Sequence, residues 1–471
     1  MDLTDLSASD LSRMIAARKL APSEVMAAYL ARIGQLNPKV NAIVSLRDAD
    51  GLMAEARAAD DAPPQGWLHG IPQAPKDLMA TKGLRTTWGS PLFRSHVPEH
   101  DDLVAGRMRA AGAIFVGKTN SPEWGFGSHT FNEVFGATRN PYDPTRSAGG
   151  SSGGAAAALA AHLLPVTDGS DMMGSLRNPA AFCNVYGFRP SWGLVPVDAE
   201  GDTFIRTMST EGPMGRSVED VARLLTVQAG PNPAVPFGRS SEDFAAKLNI
   251  DLQGLRIGWL GDWGGAYPME TGILDQCEQG LRVLEDLGAH IEPVAPPYPA
   301  EKLWKAWTVL RSAMSANGMR ALYDNPDSRA QLKPEAIWEI ESGLDLSARA
   351  VFEASTIRSS WYAHAARLFD TYDAVILPTA QVWPFAVEER FPQQIAGRMM
   401  DTYHRWMEVV IPISLIGLPA LSVPVGFGPG GLPMGMQIAG PVGADARILA
   451  IGQQYHQATD WPGKRPPQLT A

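Results

Sequence analysis

Arg146-Ser147-Ala148-Gly149-Gly150-Ser151-Ser152-Gly153-Gly154, followed after an alanine-rich stretch by Asp171-Met172-Met173-Gly174-Ser175-Leu176-Arg177, is the part of the chain whose reading decides its fold. Glycine admits torsions closed to other residues and lets backbone N–H groups crowd a reacting atom. A serine held in such backbone is open to a substrate carbonyl and close to donors for an oxyanion. Its hydroxyl is a weak nucleophile without a base. Gly70-Ile71-Pro72-Gln73-Ala74-Pro75-Lys76-Asp77-Leu78 offers one, a lysine set among apolar and proline residues.

Two plainer readings of the glycine-rich run fail on its flanks. Glycine/serine runs are usually linkers, but this one lies between a turn-rich approach at 140–146 and a compact helix of small residues at 155–161. Gly149-Gly150-Ser151-Ser152-Gly153 also satisfies G-x-S-x-G, which demands a buried strand directly before it. Asn140-Pro141-Tyr142-Asp143-Pro144-Thr145-Arg146, with two prolines, is a turn instead. A serine three positions before a lysine, as a penicillin-binding-type site needs, does not occur.

The three blocks, in this order and spacing, resemble those of the amidase signature family, serine hydrolases with a Ser–cis-Ser–Lys triad. Further blocks carry the likeness: Gly117-Lys118-Thr119-Asn120-Ser121-Pro122-Glu123, Gly187-Phe188-Arg189-Pro190, Gly212-Pro213-Met214-Gly215-Arg216-Ser217, Gly417-Leu418-Pro419-Ala420 and Gly431-Leu432-Pro433-Met434-Gly435. The resemblance spans essentially the whole chain. It implies an α/β fold, a single large mixed β-sheet covered by helices on both faces. It also implies one domain over 1–471, with a signature core at about 65–225 and a variable, mostly helical, substrate-side region at about 230–372.

The resemblance assigns roles residue by residue. Ser175 attacks the carbonyl of a small uncharged carboxamide and forms an acyl-enzyme. Ser151, preceded by a cis peptide, relays the proton, and Lys76 is the base. Backbone N–H groups of Met172, Met173, Gly174 and Ser175 form the oxyanion hole, with Ser152, Asp171 and Arg177 in supporting positions. No metal and no cofactor is required. The rivals within the family are a glutamine-hydrolysing component of a glutamyl-tRNA amidotransferase and a carbamate or cyclic-amide hydrolase. The partner is a small-molecule amide, and a homodimer is left open. Two positions depart from the family pattern: Met173 stands where glycine is usual, and Ser414 where many members carry asparagine on what analogy makes the substrate side.

Composition fits this reading. The chain has 471 residues, 45% of them hydrophobic, enough for a large core. A net charge of -10 argues against nucleic-acid binding, which needs clustered Lys and Arg. Only Cys183 and Cys277 occur, so neither a disulfide framework nor a four-cysteine zinc site is expected. Cys183 is expected to pack as a small hydrophobe. The start of the chain has no basic segment followed by an apolar run, and no apolar run approaches a membrane span. A cytoplasmic enzyme is the expectation.

Local patterns place the elements. Ser7 or Ser9 caps a first helix; a second covers 22–36 and ends at Asn37-Pro38. Strands are expected at 113–116, 163–167, 255–260, 374–377, 421–425 and 437–439. The five tryptophans Trp304, Trp307, Trp361, Trp383 and Trp406 are candidates for a pocket lining or for the core.

Overall fold

A computed structural model describes residues 2–205, 207–464 and 469. Eight strands form one mixed sheet: β1 (Val166–Asp171), β2 (Tyr186–Arg189), β3 (Thr210–Gly215), β4 (Arg256–Trp259), β5 (His290–Pro293), β6 (Ala374–Pro378), β7 (Ala420–Phe427) and β8 (Pro433–Ala439). Their spatial order is β5-β4-β6-β8-β7-β2-β3-β1. β4 is parallel to β5 and β6, and every other neighbouring pair is antiparallel.

Helices cover both faces, as the alternation of side chains along a strand makes visible. On β8 a Cβ added at Gly435 would meet Ala181, in α4 (Arg177–Phe182), whereas the next residue, Met436, lies against Gly280 of α5 (Ile273–Asp286). Strands covered on both sides read as nearly continuous apolar runs, and β6 and β8 are buried at every position.

Ser7 caps the first helix, α1 (Ala8–Ala16), by accepting from Asp10 N at 3.0 Å. The second helix, α2 (Pro22–Val40), does not stop at Asn37-Pro38. It runs one turn further because the Asn37 amide oxygen takes the N–H groups of Ala42 and Ile43, closing the end beyond the proline. The strand expected at 163–167 also shifts, to 166–171. Polar residues in its second half disguise the strand, yet Asp168 accepts from Lys76 N and Asp171 is paired with two arginines.

β2, β3 and β5 lie outside the expected strands. Thr210–Gly215, quoted above only for its resemblance, pairs as a strand, and Gly212 lets β2 come close. Any Cβ there would collide with the Phe188 carbonyl oxygen of β2.

The five tryptophans belong to the main core. Both cysteines are buried and unpaired. Among the described residues no helix is long and apolar enough to cross a membrane.

Candidate active site

The site is built at the end of β1. A short strand, Pro72–Gln73, leads to Lys76, whose N–H is pinned to Asp168 Oδ2 of β1 at 3.1 Å. This turns the lysine chain under the glycine-rich loop. Nζ donates to Ser151 Oγ at 2.7 Å, Ser152 Oγ at 2.8 Å and Ser170 Oγ at 3.0 Å. Three hydroxyls account for all three protons of an ammonium. The free amine has only two protons and a lone pair, so one hydroxyl must then donate to it.

Lys76 is 1% exposed. Burial lowers its pKa from the ordinary 10.5 to about 7, against the opposing pull of Asp168, Asp171 and Glu211. Desolvation disfavours the charged form, and these carboxyls soften the penalty without cancelling it.

The glycine-rich loop is shaped by close approach. The Gly150–Ser151 peptide is cis. Thr130 Oγ1 donates to the Gly149 carbonyl at 2.8 Å and accepts at 3.1 Å from the N–H of Gly153, the first residue of α3 (Gly153–Ala160), bracing both ends. Across the gap, Gly169 of β1 lets Ser152 in, since a Cβ there would lie 2.6 Å from its Oγ. The Ser152 N–H then donates to the Ser175 carbonyl at 3.1 Å, fastening the two serine blocks together.

Ser175 sits on the loop between β1 and α4, 8% exposed. Its hydroxyl makes no hydrogen bond to any described residue. Asp171 shapes that loop: its carboxylate accepts from Gly174 N at 2.9 Å and Leu176 N at 3.2 Å. Arg177 grips it bidentately, Nε to Oδ2 and Nη2 to Oδ1, both at 3.0 Å, and Arg189 adds a contact at 3.2 Å. Burial pushes the Asp171 carboxyl up, but the two guanidiniums hold it well below the usual carboxylate range. Such a desolvated, fully paired carboxylate is a rigid anchor.

The structure thus brings Lys76, Ser151, Ser152 and Ser175 together and puts Asp171 and Arg177 behind the Ser175 loop. It corrects two expectations and separates the two methionines before Ser175. The Gly174 N–H is spent on Asp171, so it leaves the set expected to face an oxyanion; Met172, Met173 and Ser175 remain. Ser414 is not on the substrate side: it is fully buried, and its Oγ accepts from Arg177 Nη2 at 2.5 Å. Met173 is 3% exposed and packs in the main core, so only the half-buried Met172 borders open space.

Sequence reasoning missed Ser170, Arg189 and Glu211. The first two complete hydrogen bonds to Lys76 and Asp171; Glu211 stands directly opposite Ser170 in the β1–β3 register. Alternation along β1 carried a signal for Ser170, since Asp168 and Ser170 share the face towards Lys76.

Residues 24–449 match the family model described as Amidase. An acylamidase of Rhodococcus erythropolis is 32% identical, covering 98% of this chain and 97% of its own. A glutamyl-tRNA(Gln) amidotransferase component from Thermus thermophilus is 35% identical over 96% of this chain and 97% of its own. Among solved structures, a bacterial aryl acylamidase of the amidase signature family superposes with a TM-score of 0.90 at 30% identity, covering 98% and 99% of the two chains. The chain therefore belongs to the Amidase family, and its chemistry is hydrolysis of an amide C–N bond.

Proposed function

We propose that the chain is a free-standing amidase for small uncharged aryl or aliphatic amides, working through an acyl-enzyme on Ser175. The observation that carries this reading is the buried Lys76 bonded to Ser151 at 2.7 Å, with the Ser175 loop tied to the neighbouring Ser152 at 3.1 Å.

Ser175 Oγ attacks the carbonyl carbon as its proton passes to Ser151, whose own proton moves to Lys76 Nζ. The carbonyl oxygen becomes an oxyanion, met by the N–H groups of Met172, Met173 and Ser175. A donor of this kind is worth about 10²–10³ in rate. The C–N bond breaks as the proton held on Lys76 returns through Ser151 to the leaving nitrogen. Water then adds to the Ser175 ester by the same relay, releasing the carboxylic acid and restoring the serine. The relay requires Ser175 Oγ to close on Ser151 Oγ when substrate is bound, the tightening expected of catalytic hydrogen bonds on going from the free enzyme to the complex.

We read the chain as one folding unit, because strands from 166–215 and 374–439 share a single sheet. Two buried free cysteines suit a reducing cytoplasm. The likeness to a glutamyl-tRNA(Gln) amidotransferase component keeps a second reading, glutamine hydrolysis within a complex. Incubating the purified chain alone with an anilide and searching for an acylated Ser175 by mass spectrometry decides between them. Acylation and aniline release support the first reading; activity seen only with glutamine and added partner proteins overturns it.

A further inference from the structure

Three residues before Ser175, Met172 receives an uncommon neighbour. Arg311, in the middle of α6 (Ala300–Asp324), is 6% exposed, and its Nη1 donates to Met172 Sδ at 3.1 Å. The rest of the guanidinium is firmly held. Nε is bonded to Glu339 of α7 (Pro334–Leu344), Nη2 donates to the Tyr403 hydroxyl at 2.9 Å, and that hydroxyl donates to Glu339 at 2.7 Å. The Phe126 ring lies 5.5 Å from Cζ. Nη1 alone is left with a thioether, a weak acceptor, for its two protons. A buried guanidinium N–H without a good acceptor is costly, and Met172 is the half-buried side chain of the Ser175 loop.

A second under-satisfied polar group lies on the far side of Tyr403. His404 is 1% exposed, and neither ring nitrogen has a hydrogen-bond partner among the described residues. Its ring lies 4.6 Å from that of Tyr403 and 5.0 Å from that of Trp304, which stands two turns before Arg311 on α6. Two under-satisfied polar groups thus meet around Tyr403.

We propose that Arg311 is a specificity residue that hydrogen-bonds an uncharged ether or carbonyl oxygen carried by the amide substrate. The proposal rests on Ser175 being the nucleophile. Glu339 already neutralises Arg311, so a substrate carboxylate would be a second anion for one cation; a neutral oxygen fits the charge balance. Three residues of chain separate the Met172 and Ser175 Cα atoms by at most about 10 Å, so the oxygen is sought on the parts of the substrate that flank the scissile amide.

Two isosteric substrate pairs test it: methoxyacetanilide against butyranilide, and 4-methoxyacetanilide against 4-ethylacetanilide. The quantity read is the ratio of kcat/KM within each pair, compared between the wild type and variants so that inductive effects cancel. Arg311→Met combined with Glu339→Gln removes the donor without stranding a buried carboxylate. In at least one pair the ratio is to fall by roughly tenfold, the net worth of one hydrogen bond. Met172→Leu, which deletes the competing sulfur, is to raise it. A ratio unchanged within about twofold in the double variant overturns the proposal, as does an unchanged ratio in Met172→Leu should the double variant fail to fold. If the wild type hydrolyses none of the four anilides, the reading as a free-standing amidase for small uncharged aryl amides falls, a distinct result.

Discussion

Ser414 Oγ and Arg177 Nη2 lie 2.5 Å apart, joining the C-terminal third of the chain to the helix that follows Ser175. Arg177 Nη1 also donates to Gln437 of β8 at 2.5 Å, so the arginine that orients Asp171 is held from two C-terminal elements. Ser414→Ala leaves a buried guanidinium proton unpaired. A loss of about 1–3 kcal/mol in unfolding free energy is expected, with a smaller fall in kcat as the loop loosens. Urea denaturation and steady-state kinetics measure the two; a variant as stable as wild type would show that water or Gln437 takes over the proton.

Ser175→Ala is to lower amide hydrolysis by at least about 10³-fold, as for the nucleophile of a cooperating unit. Lys76→Ala is to be comparably severe and Ser151→Ala intermediate or severe, with the effects far from additive. Full activity in the Ser175 variant would return the nucleophile's role to Ser151 or Ser152.

The base sets the pH profile. Lys76 accepts a proton only as the free amine, and burial brings its pKa to about 7. kcat/KM is therefore to rise with pH through about 7 and level off above it. A profile flat between about pH 5 and about pH 9 would remove Lys76 from the relay.

The same burial has a cost in stability. The folded pKa, about 7, lies below the ordinary 10.5, so between these values the unfolded chain binds the extra proton. Stability then rises with pH across that window, by about 1.4 kcal/mol per pH unit. Below about 7 both states are protonated and the folded one carries a buried ammonium. Lys76→Met is thus to abolish activity while stabilising the protein more at about pH 6 than at about pH 10. Equal effects at the two pH values in urea melts would contradict this.

Uncharged anilides are to be turned over with higher kcat/KM than free glutamine. Glutamine brings an ammonium and a carboxylate to a site bordered by the Met172 thioether and by an arginine that Glu339 already neutralises. Burying charges without partners is costly. Glutamine proving the better substrate of the isolated chain would contradict a site of this polarity.

The central chemistry was legible because it is local. Lys76, Ser151 and Ser175 each sit in a short block of glycine and proline whose backbone needs are visible in the residues themselves. Asp171 and Arg177 lie on the same block as Ser175 and are read with it. What stayed hidden depends on distant chain. Nothing near Ser414 signals that it meets Arg177, and Arg311 reaches Met172 only because α6 packs across the Ser175 loop. β3 was hidden for another reason: its glycines and proline imitate a turn until β2 comes alongside.

The strand order carries a consequence for how the molecule is made. β2 ends at Arg189, and the strand that covers its open edge, β7, begins at Ala420. At ribosomal rates of about 5–20 residues per second, the intervening chain takes about 10–50 s to emerge. Until it does, β2 has no partner for the edge that carries Gly187, Phe188 and Arg189 against β7. An unpaired edge of this kind is a template for pairing with another chain, and β7, the last but one strand of the sheet to be made, is what closes it.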